Sequence, residues 1–172
     1  NRSLHETRLA EQTVLEMELR HTRRHLAKWM RPKRVSTAIT QMPGANRLMC
    51  QPVGVVGIVS PWNYPLQLLL APAIGALAAG NRVLLKPSEL TPIFADVLQQ
   101  AVARHFAPTE VAVVLGDSET AKAFVQLPFG HLVFTGSTEV GRSVASAAAR
   151  NLTPVTLELG GKSPALVDVS AD

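Results

Sequence analysis

Two side chains in this sequence are placed to handle a reacting carbonyl. Asn63 stands in Pro61-Trp62-Asn63-Tyr64-Pro65, a proline-bracketed turn that follows an apolar run. A side-chain amide held rigidly there could donate to a developing oxyanion. The plainer alternative is an Asn that caps the helix begun by Pro65. Glu158 closes the apolar run 155–159 and precedes Gly160-Gly161. A carboxylate there could act as a general base, with the glycines leaving space for a ligand; otherwise it is a partly exposed acid at a strand end.

Two further segments suit a nucleotide. In Lys86-Pro87-Ser88-Glu89 the ammonium can donate and the carboxylate accept, a pairing that fits a ribose diol. It fits a surface ion pair beside a helix start equally well. Residues 136–143 read Gly-Ser-Thr-Glu-Val-Gly-Arg-Ser, between a strand and a helix, where free N–H groups and the helix dipole favour a phosphate. The spacing nearly matches a P-loop, but Arg142 stands where that loop needs a slim Lys. Nor is it Gly-x-Gly-x-x-Gly. A tight strand-to-helix turn is the alternative there.

The elements that must position these residues follow from the apolar pattern. Residues 4–30 predict a helix stopped by Arg31-Pro32, and a polar connector with Pro43-Gly44 leads to a strand beginning near Leu48. Leu15, Leu19, Leu26, Trp29 and Met30 are the expected buried side of that helix. Residues 53–59 form a two-sided apolar run, as in a strand buried on both faces. Pro65 suits the start of the next helix and Gly80 its end. Strands are then expected at 82–86, 111–115, 131–134, 155–159 and 165–169. Helices are expected from Thr91-Pro92, read as an N-cap and first residue, to about 106, over 118–126, and over 138–150. This alternation predicts an α/β fold, a doubly wound Rossmann-like parallel sheet. Residues 1–47 form an N-terminal helical segment with its connector, and 48–172 the sheet domain.

Composition narrows the function classes. The 172 residues are 47% hydrophobic and 17% charged, which excludes disorder and allows a sizeable core. The net charge of +4 is uneven: residues 1–47 carry +6 and the remainder −2. The basic run 20–34 lacks a groove-reading motif, so a solvated helix face is expected rather than a nucleic-acid surface. The uncharged stretch 48–81 is punctuated by Pro52, Pro61, Pro65 and Pro72, which argues for a core helix between strands and against a membrane span. A single cysteine, Cys50, permits no internal disulfide and suggests the reducing cytoplasm. Cys50 itself reads as a small buried or edge hydrophobe. No metal-ligand cluster stands out. There is no initiating Met, and a partial chain is expected.

The four motifs, in this order and spacing, resemble the aldehyde dehydrogenase superfamily, and residues 61–68 lean towards its class 3-like branch with the coniferyl and fatty aldehyde enzymes. The resemblance implies oxidation of an aldehyde to the carboxylic acid with NAD, or NADP, through a cysteine thiohemiacetal and thioester. It implies Asn63 as the oxyanion amide and Glu158 as the base. Lys86, Ser88 and Glu89 would lie by the adenosine ribose, and Gly116 near the adenine. Ser60, Pro61 and Trp62 would flank the cofactor. Gly136, Ser137, Thr138, Glu139 and Gly141 would form the pyrophosphate loop, and Phe134, Thr135 and Val140 would line the site. Leu159 and Gly160 would sit close to the nicotinamide. Glu89 would repel a 2′-phosphate, so NAD is the expected cofactor.

The family's nucleophile is expected a few dozen residues beyond Glu158, outside this sequence, and Cys50 is too far upstream to replace it. Asp117 departs from the second Gly or Pro that many relatives carry after Gly116. The fragment is therefore expected to be inactive alone and poorly soluble, and the full-length protein to be a homodimer or homotetramer. Two rivals remain at this point: an NTPase built on 136–143, and a noncatalytic nucleotide-binding module.

Overall fold

A computed structural model describes residues 3–171. Helix α1 (Leu4–Thr7) opens on Ser3, whose Oγ accepts from the Glu6 N–H at 3.1 Å. A π-helical turn (Arg8–Gln12) joins it to α2 (Thr13–Trp29). An antiparallel hairpin follows, of β1 (Lys33–Val35) and β2 (Asn46–Leu48), exposed along its whole length. The strand expected to begin near Leu48 thus ends there, and its partner is β1 rather than the main sheet.

The main fold alternates strand and helix: β3 (Val55–Val59), α3 (Pro65–Ala78), β4 (Arg82–Lys86), α4 (Pro92–His105), β5 (Val111–Val113), α5 (Ser118–Phe124), β6 (His131–Gly136), α6 (Thr138–Ala149) and β7 (Val155–Leu159). The five strands are parallel, in the order β5-β4-β3-β6-β7. This is the doubly wound α/β sheet that the sequence predicts.

Its strands read as apolar on both faces because both faces are covered. Val83 and Leu85 pack with Val56, Ile58, Leu69, Ala73, Leu98 and Val102 under α3 and α4. Leu84 faces the other way, into the cluster of Phe124, Phe129, Leu132, Phe134, Val144 and Ala148 under α5 and α6. Truncating Leu69, fully buried between α3 and the sheet, would cost roughly 2–5 kcal/mol.

Helix α3 starts on Pro65, passes through Pro72 and ends before Gly80, whose φ is 84°. It is the core helix expected from the uncharged stretch. Among the described residues no helix is long and apolar enough to cross a membrane.

Three local expectations are corrected. Residues 165–169 form no strand. Leu166, Val167 and Val169 are exposed, with no neighbouring strand among the described residues to supply hydrogen bonds. Leu19, Trp29 and Met30 are exposed rather than buried; α2 packs on α3, and Trp29 instead lies over His21 and His25, ring centroids 5.6 and 5.7 Å away. Thr91 stands before α4, but its hydroxyl donates to the Ser88 carbonyl and makes no cap.

Candidate functional site

The parallel register aligns the carboxyl ends of the strands into one row. Val59 lies beside Lys86 on one side and Phe134 on the other. Thr135 lies beside Glu158, and Gly136 beside Leu159. The chain winds outward from β3 through β4 to β5, then returns to place β6 on the other side of β3. Helices α3 and α6 cover opposite faces of the sheet, so the chain leaves β3 and β6 in opposite directions. The position between residues 60–63 and residue 137 is the switch point at which such sheets usually take a ligand in a crevice.

At the β4 end, Lys86 is 1% exposed, and its Nζ donates to the Pro87 carbonyl at 2.9 Å. Burial holds the Lys86 pKa below the ordinary 10.5, partly offset by the charges of Glu89 and Asp117. Ser88 is buried, and its Oγ accepts from the Leu90 N–H, while Glu89 is exposed. A cavity of about 230 Å³ lies between Ser88 and Glu89 on one wall and Gly116 and Asp117 on the other. Gly116 has φ 145°, and a Cβ there would collide with Thr120, so glycine is required.

Asp117, the departure noted in the sequence, caps α5. Its Oδ1 accepts from the N–H groups of Glu119 and Thr120 and from the Thr120 hydroxyl, which holds its carboxyl below the ordinary range.

At the β3 end, the Ser60 hydroxyl is buried without a hydrogen-bond partner among the described residues. Pro61 is half-buried, and Trp62 and Asn63 are exposed. The Asn63 Oδ1 accepts from the Tyr64 N–H at 3.1 Å, which fixes the acceptor end of the amide. Asn63 does not cap α3. The first-turn N–H groups of Leu66 and Gln67 donate instead to Glu11 Oε2, at 2.9 and 3.1 Å. Glu11 lies fifty-five residues from Leu66, and no local pattern announces that contact.

At the β6 end, the Ser137 Oγ caps α6 by accepting from the Val140 N–H at 3.3 Å. Thr138, Glu139 and Val140 are exposed around that turn, and Thr135 and Gly136 are half-buried. Phe134 belongs to the core, its ring set under Gly136. Gly141 is buried against the Leu159 side chain, where it lets α6 approach β7. Arg142 points elsewhere, into a cleft shared with Gln126, Ser146 and Arg150 along α6. Without a cation turned back to the loop, the P-loop reading loses its central requirement.

Glu158 and Leu159 close the row, exposed on the outer strand, with open space over Gly160. Cys50 is exposed in the segment that enters the amino end of β3, the end opposite the row. Among the described residues no cluster of His, Cys, Asp and Glu could hold a metal.

The aldehyde dehydrogenase family model matches residues 7–172. The chain is 50% identical over 169 residues to the probable coniferyl aldehyde dehydrogenase of Pseudomonas aeruginosa, covering 98% of this chain and 36% of that protein. Among solved structures, the substrate-bound AldH of Staphylococcus aureus superposes with a TM-score of 0.89 at 40% identity, covering 97% of this chain and 36% of the other. The NAD⁺ complex of a Mycobacterium tuberculosis aldehyde dehydrogenase gives 0.71 at 34% identity, covering 89% and 33%. The chain thus spans about a third of the length of the relatives it matches. Row, crevice and family match agree, and the chain belongs to the aldehyde dehydrogenase family.

Proposed function

We propose that the row binds NAD, and that in the full-length protein it serves the oxidation of an aldehyde, of the coniferyl type, to its carboxylic acid. The observation that carries this reading is the alignment itself. Lys86 and Glu89, the Ser60–Asn63 turn, the Ser137 turn and Glu158 follow one another along one sheet edge. From β4 to β7 the edge measures about 14 Å at ordinary strand spacing, a length suited to an extended dinucleotide. The orphaned Ser60 hydroxyl at the crevice also fits a bound polar group, because a buried hydroxyl without a partner is costly.

Lys86 and Ser88, with the Glu89 carboxylate as acceptor, would hold the adenosine ribose, and Gly116 would border the adenine. Glu89 would repel a 2′-phosphate, which makes NAD the preferred cofactor over NADP. The turn of Gly136, Ser137, Thr138 and Glu139 would receive the pyrophosphate at the start of α6. Pro61, Trp62, Val140, Leu159 and Gly160 would flank the remainder. When bound, the nicotinamide supplies a hydride acceptor.

The chain's own chemistry would then lie in two groups. The Asn63 amide would donate to the oxyanion formed when a cysteine thiolate adds to the aldehyde, and Glu158 would take a proton from the water that hydrolyses the thioester. That cysteine would be supplied outside residues 1–172, since Cys50 is at the wrong end of the sheet. A thiolate chemistry of this kind suits a reducing compartment such as the cytoplasm.

The test is a titration of the chain with NAD by isothermal calorimetry. Binding should appear with wild type and weaken on the order of tenfold in Lys86→Met, the loss of a charge-assisted hydrogen bond. ATP hydrolysis dependent on Ser143, with no NAD binding, would overturn the reading. NAD binding by a full-length protein without aldehyde oxidation would leave a binding module.

A further inference from the structure

We infer that Glu11, on the N-terminal helical rod, is a positioning residue for the Asn63 turn. The inference rests on the reading of Asn63 as the oxyanion donor.

Glu11 is 3% exposed, an expensive place for a carboxylate unless hydrogen bonds replace its water. Its Oε2 supplies them, by accepting from the Leu66 and Gln67 N–H groups. These are among the first-turn donors that α3 cannot satisfy internally, and a carboxylate is favoured at that end of the helix dipole. The contact ties a residue of the first helical rod to the first turn of α3, three residues beyond Asn63.

The rod is built to make this contact. Glu11 lies inside the π-helical turn Arg8–Gln12. A π turn places one more residue in the turn than regular α-helix does, which shifts later side chains by about 100° around the axis. Glu11 is buried there, whereas its neighbours Gln12 and Thr13 are exposed.

The turn is therefore held from both ends. On the strand side, the Ser60 N–H donates to the Lys86 carbonyl at 3.3 Å. On the helix side, Glu11 fixes Leu66 and Gln67. Between them, Asn63 Oδ1 bonds the Tyr64 N–H and the Leu68 N–H bonds the Tyr64 carbonyl. A displacement of the α3 start would pass directly to the Asn63 amide, and oxyanion stabilisation depends on donor placement.

The experiment compares Glu11→Ala, Glu11→Gln, Asn63→Ala and the double variant Glu11→Ala/Asn63→Ala in the full-length enzyme. It reads kcat for aldehyde oxidation, NAD Kd and Tm. Asn63→Ala should lower kcat on the order of 100-fold, the loss of an oxyanion donor. Glu11→Ala should lower kcat about tenfold, part of that same effect, with NAD Kd changed less than twofold. The double variant should be no slower than Asn63→Ala alone, because both changes act through one amide. Glu11→Gln, which keeps an acceptor without the charge, should recover part of the rate.

A folded Glu11→Ala enzyme with wild-type kcat, beside an impaired Asn63→Ala, would overturn the inference alone. So would rate losses that multiply in the double variant. Wild-type kcat in Asn63→Ala would overturn the oxyanion reading first, and the inference with it. Should Glu11→Ala fail to fold, Glu11→Gln decides: lowered kcat at unchanged NAD Kd supports the inference, and unchanged kcat overturns it.

Discussion

Lys86 places an ammonium almost wholly out of water, with the Pro87 carbonyl as its acceptor. Desolvation lowers its pKa, so the folded protein releases this proton at lower pH than the unfolded chain. Between the folded value and 10.5 the unfolded state binds more protons, and stability contributed by this group rises with pH. Nucleotide binding should run the other way. If the ammonium donates to the ribose, NAD affinity is full below the lowered pKa and falls as pH rises through it. Calorimetric titrations carried up to the ordinary lysine pKa of 10.5 should show that fall beginning below it, and Lys86→Met should abolish it. An affinity flat in pH for wild type would remove Lys86 from the ribose. At Gly116, substitution by Ala should cost about 1–3 kcal/mol for its backbone conformation, read as a lower urea midpoint. The added variant Thr120→Ala should relieve only part of the collision, because the Cβ of residue 120 would still lie 2.6 Å from the new methyl, and it leaves the strained φ unchanged. Lys86, Glu89 and Gly116 were legible as site candidates because each follows an apolar run within a distinctive local phrase. Asp117 and Glu11 were not. Asp117 looked like a departure until its cap was visible, and Glu11 finds its partner only through the tertiary fold.

Asn81 joins two elements that the sequence shows merely as neighbours. Its Oδ1 accepts from the Val53 and Gly54 N–H groups at 2.7 and 3.1 Å, and its Nδ2 donates to the Ala76 carbonyl at 3.0 Å. The side chain thereby closes the end of α3 onto the entry of β3. Asn81→Ala should destabilise by about 1–3 kcal/mol, since three backbone groups lose a partner. Asn81→Asp, which keeps the acceptor, should lose less. Urea denaturation measures both, and equal losses would place the effect on the Nδ2 donor alone. At this scale the alternation from β3 to β7 was readable, because five short apolar runs are bounded by Pro, Gly or polar turns. The β1–β2 hairpin was not readable: its strands are three residues each, exposed, and carry no apolar alternation. Residues 165–169 show the reverse failure. Their apolar composition satisfies a strand pattern, but a strand also needs a hydrogen-bonded neighbour.

As a whole the described molecule leaves β7 paired on one side only, with Leu166, Val167 and Val169 exposed just beyond it. An open parallel edge beside bare apolar residues favours self-association. Residues 1–172 expressed alone should sediment as a concentration-dependent mixture and show no aldehyde oxidation with NAD. A monodisperse, heat-stable monomer would contradict the first expectation, and robust turnover the second. The strand order also has a consequence during synthesis. On the ribosome, β3, β4 and β5 emerge before β6, yet β6, which ends at Gly136, is the second neighbour of β3. At usual elongation rates the central strand therefore waits on the order of ten seconds with one side unpaired. A nascent chain in that interval exposes the strand that will form the middle of the five described strands, and it is the stage at which a chaperone has most to protect.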